Sequence, residues 1–347
     1  MNIVVLAGGL SPERDVSLTS GSLIANALMK NGHRVLLLDV YLGTELTGDP
    51  LALFNTKTEY HHTVSSDVPD LAALKAQSGN GEGLIGKNVL TLCRAADLVY
   101  IAMHGGMGED GRLQAWLDCN GIRYTGTGAL GAALSMDKEI SKILLRTADI
   151  PTPDWIIVRP QTEANCRARV LSEIGLPCVI KPCSCGSSVG VSIVETEDAL
   201  DAALALGAAW EERLIVEKKI IGRELTVGIL GSRALSPIEI IPKKGFYDYK
   251  NKYQGGCTIE LCPAPLREDQ TTKVQQLTLR AFAALHLDCY ARIDYIMDEH
   301  DVMWCLEANA LPGMTPTSLL PQMAADIGLD YGALCEEIIA LAMDKKS

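Results

Sequence analysis

Apolar and polar positions fall into alternating strand-like and helix-like blocks from the first residues onward. Ile3 to Ala7 is a short apolar, β-branched run, Gly8-Gly9 interrupts it, Ser17 to Lys30 has helical spacing, and Val35 to Asp39 is strand-like again. That order predicts a βαβ unit. A third strand over Leu98 to Met103 leads through His104-Gly105-Gly106 into a helix over Arg112 to Cys119 and a short strand at Ile122 to Tyr124. An open parallel sheet is expected, with functional loops at the strand carboxyl ends. Between these blocks Tyr41 to Ala96 is weakly patterned and rich in Gly, Ser and Asp, so loops and short elements are expected there. Its His61-His62 pair reads as a solvated loop with no acidic partner rather than as a metal site.

From Gly126-Thr127-Gly128 the pattern changes. A helix over Asp137 to Ala148 is stopped by Pro151 and Pro153, and a strand follows at Trp155 to Val158. Next come a helix near Glu163 to Ile174, a strand at Cys178 to Lys181, a glycine-serine loop at Cys185 to Gly190, a strand at Val191 to Glu195, a helix near Ala199 to Ala208 and a strand at Leu214 to Lys218. The remainder predicts two strands within Glu224 to Ile241, a polar aromatic loop at Phe246 to Cys257, a helix over Thr271 to His286 and a hairpin over Tyr290 to Ala308. Three domains are expected: 1–126, a parallel α/β unit; 127–217; and 218–347, rich in antiparallel strands, with a mobile loop at 243–257. The fold class is therefore α/β and α+β.

Composition narrows the function. With 347 residues, 48 % hydrophobic and 21 % charged, the chain exceeds one average domain and is expected to fold throughout. The formal charge of -12 argues against nucleic acid as a general partner. No apolar run approaches the ~20 residues of a membrane span, and the N-terminus lacks the features of a signal peptide, so a cytoplasmic protein is expected. Eleven scattered cysteines without paired CxxC spacing read as free thiols, mostly core filler.

The strongest chemical signal is the hairpin. Counting from a four-residue turn at Asp298 to Asp301 puts Met297 opposite Val302, Asp294 opposite Cys305 and Arg292 opposite Glu307. Side-chain alternation then sends Arg292, Asp294, Glu307 and Asn309 to one face, and Ile293, Tyr295, Trp304 and Leu306 to a core face. Two carboxylates and an amide oxygen beside an arginine are hard ligands suited to Mg²⁺ and, through it, nucleotide phosphates. A surface salt-bridge face is the alternative; the glycine loop that follows, Asn309-Ala-Leu-Pro312-Gly313-Met-Thr, favours a site. A second signal is Lys181-Pro-Cys-Ser-Cys-Gly186-Ser187-Ser188-Val-Gly190, where a lysine ends a buried strand before a flexible loop. This suits a triphosphate, but the order differs from a Walker motif and a plain hairpin turn explains it nearly as well. Glu217-Lys218 and Glu224 could serve an adenine edge and ribose hydroxyls, or be solvated strand ends. The third signal, Ala7 to Ser17, fails dinucleotide-fingerprint spacing. Its Glu13, near a helix N-terminus, suits a substrate ammonium or a simple cap.

Taken in order, these segments resemble the D-alanine:D-alanine ligases of the ATP-grasp superfamily. The resemblance rests on Gly8-Gly9-x-Ser-x-Glu13-Arg14-x-Val16-Ser17, His104-Gly105-x-x-Gly-Glu-Asp-Gly111, Ser135-Met-Asp-Lys138, Lys181-Pro…Ser187-Ser-Val-Gly190, Phe246-Tyr-Asp-Tyr-x-x-Lys252-Tyr253, Arg292-x-Asp294, Leu306-Glu-Ala-Asn309, Pro312-Gly-Met-Thr and Ser318-Leu319. It implies an ATP-grasp fold behind an N-terminal preATP-grasp domain, and D-alanyl-D-alanine synthesis for peptidoglycan through an acyl phosphate. It implies ATP, two Mg²⁺ ions with Mn²⁺ as a substitute, and a homodimer. By the same resemblance Lys138, Lys181, Ser188 and Lys252 hold the nucleotide phosphates, Glu217, Lys218, Ile220 and Glu224 line adenine and ribose, and Asp294, Glu307 and Asn309 bind metal. Glu13, Ser187 and Tyr253 form a network at the first D-alanine, near Val16 and His104. Arg292 and Gly313 stabilise an oxyanion, and Ser318 and Leu319 hold the second carboxylate. Cys183, Cys185 and Ala310 depart from the usual pattern without removing a named ligand.

Three alternatives stay open on sequence. One is a ligase for D-serine or D-lactate, against which Tyr253 leans toward an amine nucleophile. The others are a nucleotide-dependent dehydrogenase built on the opening βαβ unit and an idle nucleotide-binding regulator.

Overall fold

The computed structural model describes residues 1–54, 56–63, 69–186, 189–243 and 258–345. Strands β1 (Asn2–Ala7), β2 (Arg34–Asp39) and β3 (Leu98–Ile101) form a parallel sheet in the order β2-β1-β3, with helix α1 (Arg14–Lys30) crossing between β1 and β2. Ile3 through Ala7 are fully buried, as expected of a central parallel strand covered on both faces. The segment Ile122 to Tyr124 is not a strand; it makes a single bridge, Val99 to Tyr124. The weakly patterned stretch holds a short 3-10 turn at Pro50–Leu53 and helices α2 (Leu71–Ser78) and α3 (Val89–Ala95). Nor is its histidine pair simply solvated. His62 Nε2 lies 3.2 Å from Asp15 Oδ1, Asn26 on α1 hydrogen-bonds both backbone groups of Tyr60, and His61 pairs with Glu59.

Helices α4 (Arg112–Cys119), α5 (Ala129–Met136) and α6 (Lys138–Thr147) lead to a four-stranded antiparallel sheet. Its strands are β4 (Trp155–Val158), β5 (Cys178–Pro182), β6 (Ser192–Val194) and β7 (Leu214–Lys218), in the order β4-β7-β5-β6. The helix read near Glu163 is a single turn, α7 (Cys166–Arg169), continued by a π turn, and α8 (Leu200–Ala208) closes the layer. The third sheet contains β8 (Arg223–Leu230), β9 (Arg233–Ala234), β10 (Ile238–Pro242), β11 (Thr258–Leu261), β12 (Tyr290–Met297) and β13 (Met303–Asn309). Helix α9 (Glu268–Ala284) packs on it, burying Val274, Leu277 and Ala281 against Ile293 and Tyr295.

Two helices beyond the hairpin carry no expectation from the sequence, α10 (Leu319–Asp326) and α11 (Tyr331–Met343). Their apolar faces, Leu334 and Ile338 among them, share one core with the N-terminal sheet. The C-terminus thereby ties the third sheet to the first.

Candidate active site

The hairpin differs from the counted register in two compensating ways. Met297 pairs with Met303 rather than Val302, because the Asp298 carboxylate accepts from the backbone N–H groups of His300 and Val302 and lengthens the turn. A bulge between Asp294 and Tyr295 then shifts the pairing again, so Asp294 faces Glu307 and Arg292 faces Asn309. Two shifts of one residue restore parity at the site end. Arg292, Asp294, Glu307 and Asn309 do share a face. The turn end loses it: Cys305 is in the core, while Leu306 turns with Glu307 toward the cleft and Trp304 donates its indole N–H to Asp298 Oδ2 at 2.8 Å. A bulge that leaves one residue unpaired can present two neighbours to the same side.

Asp294 is firmly seated. Its Oδ1 accepts from Thr226 Oγ1 at 2.6 Å and Arg292 Nε at 2.9 Å, and its Oδ2 from Arg292 Nη2 at 3.0 Å. Asn309 Oδ1 accepts from the Leu311 amide at 2.9 Å, fixing the start of the glycine loop. Within that loop Thr315 Oγ1 and Ser318 Oγ are 2.7 Å apart, and a side chain on Gly313 would crowd Ser318 Oγ.

Helix α6 brings the lysines. Asp137 caps it, accepting from the amides of Glu139 and Ile140 at 3.0 and 3.1 Å, which sets Lys138 at its first turn. Lys138 Nζ donates to the Cys185 carbonyl at 2.7 Å and lies 3.7 Å from Glu307 Oε2, so it joins the glycine-serine loop to the acidic face. Lys181, at the end of β5, pairs with buried Glu217, whose second oxygen is 3.0 Å from Lys142 Nζ. Burial pushes the Glu217 carboxyl up, but the two ammonium groups outweigh it and hold it below the usual carboxylate range. Burial likewise lowers Lys181, and the acids Glu217, Glu307 and Glu224 reverse the sign and leave it above an ordinary lysine.

At the N-terminal sheet Glu13 stands at the N-cap of α1 and makes no capping hydrogen bond, so the simple-cap reading is set aside. It is buried beside Val16 and His104. His104 Nε2 meets Ser20 Oγ at 3.2 Å, and its Nδ1 is 3.7 Å from Glu109 Oε1. Gly105, at φ 69°, lets Glu13 approach: a Cβ there would stand 2.7 Å from Glu13 Oε2. Asp39, at the end of β2 where a dinucleotide-binding fold would use an acid for its ribose, is already bound to the Arg14 guanidinium and to the amides of Tyr41 and Leu42.

Two adjoining cavities result. One, of about 350 Å³, is lined by Glu13, Val16, His104, Arg292, Asn309, Gly313, Ser318 and Leu319. The other, of about 670 Å³, is lined by Lys181, Glu217, Lys218, Ile220, Glu224 and Asp294, with apolar Val179, Ile296 and Leu306. Lys138, Gly186 and Glu307 line both. Ser187, Ser188, Lys252 and Tyr253 lie outside the described residues. Sequence reasoning overlooked Lys142, signalled by its i,i+4 spacing from Lys138 on one helix face. It also left Glu109 without a role although the His104 motif contains it, and it gave no role to Thr226, which had no local signal.

Family models described as the D-ala D-ala ligase N-terminus and C-terminus match residues 2–127 and 144–340. The chain belongs to the D-alanine–D-alanine ligase family. Ligases of that name from Pediococcus pentosaceus and Nitratidesulfovibrio vulgaris are 38 % and 40 % identical to it, over 98 % and 99 % of this chain and 97 % and 98 % of theirs. Among solved structures, the Bacillus anthracis D-alanine–D-alanine ligase complexed with ATP is 30 % identical with a TM-score of 0.75, covering 99 % of this chain and 97 % of that one. The VanG D-Ala:D-Ser ligase of Enterococcus faecalis is 27 % identical with a TM-score of 0.76, covering 98 % and 99 %. The family is built on the ATP-grasp fold, in which the second and third sheets here enclose the larger cavity. The dehydrogenase reading is overturned.

Proposed function

We propose that the chain joins two D-alanines to D-alanyl-D-alanine at the expense of ATP, releasing ADP and phosphate, for peptidoglycan precursor synthesis. The observation that carries the reading is the wall common to the two cavities: Lys138, Gly186 and Glu307 border a larger, mostly apolar chamber on one side and a smaller, half-polar one on the other. A phosphoryl group placed at that wall can pass from nucleotide to carboxylate without leaving the protein.

In this reading Lys138 and Lys181 take the phosphates, with Ser188 and Lys252. Glu217, Lys218, Ile220 and Glu224 line the adenine and ribose, with Leu306 and Ile296 as an apolar floor. Glu13 receives the first ammonium beside Val16 and His104, in a network with Ser187 and Tyr253. Once the first carboxylate is phosphorylated, the second amine attacks the acyl carbon. Arg292 Nη and the Gly313 amide face the oxyanion, while Ser318 and Leu319 hold the second carboxylate. The acyl phosphate makes a poor leaving group a good one.

The donor set fits a divalent metal. Asp294, Glu307 and Asn309 supply two carboxylates and an amide, and among the described residues no group of three His, Cys, Asp or Glu side chains could hold an ion. Asp294, Glu307 and Asn309 would hold such an ion through oxygen atoms alone, the ligand type Mg²⁺ prefers. When bound it would neutralise charge developing on the transferred phosphoryl group. Two ions, with Mn²⁺ as a substitute, belong to the proposal.

So do the domain division at 1–126, 127–217 and 218–347, supported by three separate sheets, and a homodimer, for which exposed Leu130 and Ile143 offer apolar surface. A cytoplasmic location is supported by ten described cysteines, all free, and no described helix is long and apolar enough to cross a membrane. D-Alanine as second substrate is favoured over D-serine or D-lactate by relatives of 35–40 % identity named D-alanine–D-alanine ligase. Phosphate release and product identification with ATP, Mg²⁺ and D-alanine, compared with D-serine, D-lactate and L-alanine, test the reading. Release without dipeptide, or equal use of D-lactate, would overturn it.

A further inference from the structure

Three groups on the described residues meet at the buried edge of the larger cavity: the ammonium groups of Lys142 and Lys181 and the carboxylate of Glu217. Glu217 gives one oxygen to each lysine, and its side chain is 4 % exposed. The two cations are not equivalent. Lys142 is 1 % exposed, donates to Thr152 Oγ1 at 2.6 Å and sits 5.3 Å from the centre of the Trp155 ring, so its ammonium is held from three sides. It is absent from the described lining of the nucleotide cavity. Lys181, 13 % exposed, lines that cavity.

We infer that Lys142 is a positioning residue for the nucleotide: by keeping the counter-charge of Glu217 it frees Lys181 to turn to the triphosphate. A buried carboxylate cannot give up its last cation without being stranded in a medium that solvates it poorly. With two cations on one carboxylate, one of them is surplus until a polyanion enters. The fixed lysine stays and the cavity-facing one moves. Burial and the neighbouring Lys181 both lower the affinity of Lys142 for its proton, opposed by Glu217, which is the cost of keeping a second cation in place. Without Lys142, Glu217 and Lys181 form a neutral closed pair, and the nucleotide must break it.

The inference rests on the ATP-dependent reading, so the wild-type chain is tested first. Its calorimetric binding of the non-hydrolysable analogue adenylyl imidodiphosphate with Mg²⁺ establishes the nucleotide site, and absence of binding would count against the proposed function itself. Given wild-type binding, Lys142→Met should bind the analogue roughly ten- to a hundredfold more weakly, the range of a charged hydrogen bond. Its ligand-free thermal midpoint should be no lower than that of the wild type. A merely structural lysine would give the opposite pattern, a lower midpoint and unchanged affinity. Glu217→Gln alone carries whatever the adenine side of the cavity loses with that carboxylate, and adding Lys142→Met to it should weaken binding of the analogue by less than twofold more, because no charge then detains Lys181. This double variant strands no ion and serves as the test even where the single variant fails to fold. Lys142→Met binding within twofold of wild type, or an equally large loss when Lys142→Met is added to Glu217→Gln, would sink the inference.

Discussion

Asp294 and Glu307 face each other across two antiparallel strands, immediately beside a bulge, with Asp294 clamped by Thr226 and Arg292 and Glu307 on the wall between the cavities. The two acids are held differently. The Glu307 side chain is 36 % exposed and faces the cleft rather than filling the core, so the fold does not depend on it. Glu307→Gln should reduce ligation by three orders of magnitude or more, while the thermal midpoint moves by no more than a surface substitution does, within about 0.5 kcal/mol. Steady-state phosphate release and calorimetry on the same sample check this; substantial residual activity would remove Glu307 from the metal site.

Cys183 and Cys185 separate in the structure: Cys183 is fully buried, while Cys185 is partly exposed and lines the larger cavity. An alkylating reagent should therefore inhibit through Cys185, with protection by ATP. Cys185→Ser should resist and Cys183→Ser should remain sensitive. Burial raises the Cys185 thiol above its ordinary value and pushes Cys183 up to about 12. Since the thiolate reacts, the rate should climb through the neutral and mildly alkaline range, by roughly tenfold per pH unit. Cys119, which is exposed and lies outside both cavities, should also react, without protection by ATP. Inhibition undiminished in Cys185→Ser would assign the effect elsewhere.

Gly105 and Gly79 share a φ of 69°, which separates backbone strain from contact. At Gly79 an added Cβ meets nothing within 4 Å; at Gly105 it meets Glu13 Oε2 and Ser11 Oγ. Gly79→Ala should cost about 1 kcal/mol of stability and leave kinetics intact. Gly105→Ala should cost about 1–3 kcal/mol and raise the KM of the first D-alanine by displacing Glu13. Equal kinetics in the two variants would show that Glu13 does not depend on Gly105.

Much of this site was legible because its residues lie on strands and helix starts, where periodicity assigns a face. The opening βαβ unit, the strand Trp155 to Val158 and the strand Leu214 to Lys218 fall where their apolar runs end. The hairpin shows the limit. A turn lengthened by the Asp298 carboxylate and a bulge near Asp294 leave no periodic trace, and the four site residues kept their common face only because the two shifts cancel. Trp304 and Leu306, before the cancellation, did not. Helices α10 and α11 follow a glycine loop whose chemistry dominates the reading. Their packing on the first sheet is a long-range fact that no local pattern carries.

Thr226, on β8 and fully buried, illustrates a residue that only the fold can reveal. Its hydroxyl donates to Asp294 Oδ1 at 2.6 Å from a strand nearly seventy residues away in sequence, and Arg292 reaches the same oxygen. With both donors in place the carboxylate is fixed before any ion arrives, so binding does not have to order it. Outer groups that orient a metal ligand typically contribute 10- to 100-fold in affinity. Thr226→Val keeps the volume and β-branching and removes the hydroxyl, which costs about 1 kcal/mol in stability because the acceptor retains Arg292. Thr226→Val should therefore remain folded and need roughly tenfold more Mg²⁺, both for half-maximal turnover and for the Mg²⁺-dependent rise in thermal midpoint with a nucleotide analogue. Thr226→Ser, which keeps the hydroxyl, should restore the wild-type requirement. An unchanged Mg²⁺ dependence in Thr226→Val would mean that Arg292 alone orients Asp294, and that the 2.6 Å contact only satisfies a buried hydroxyl.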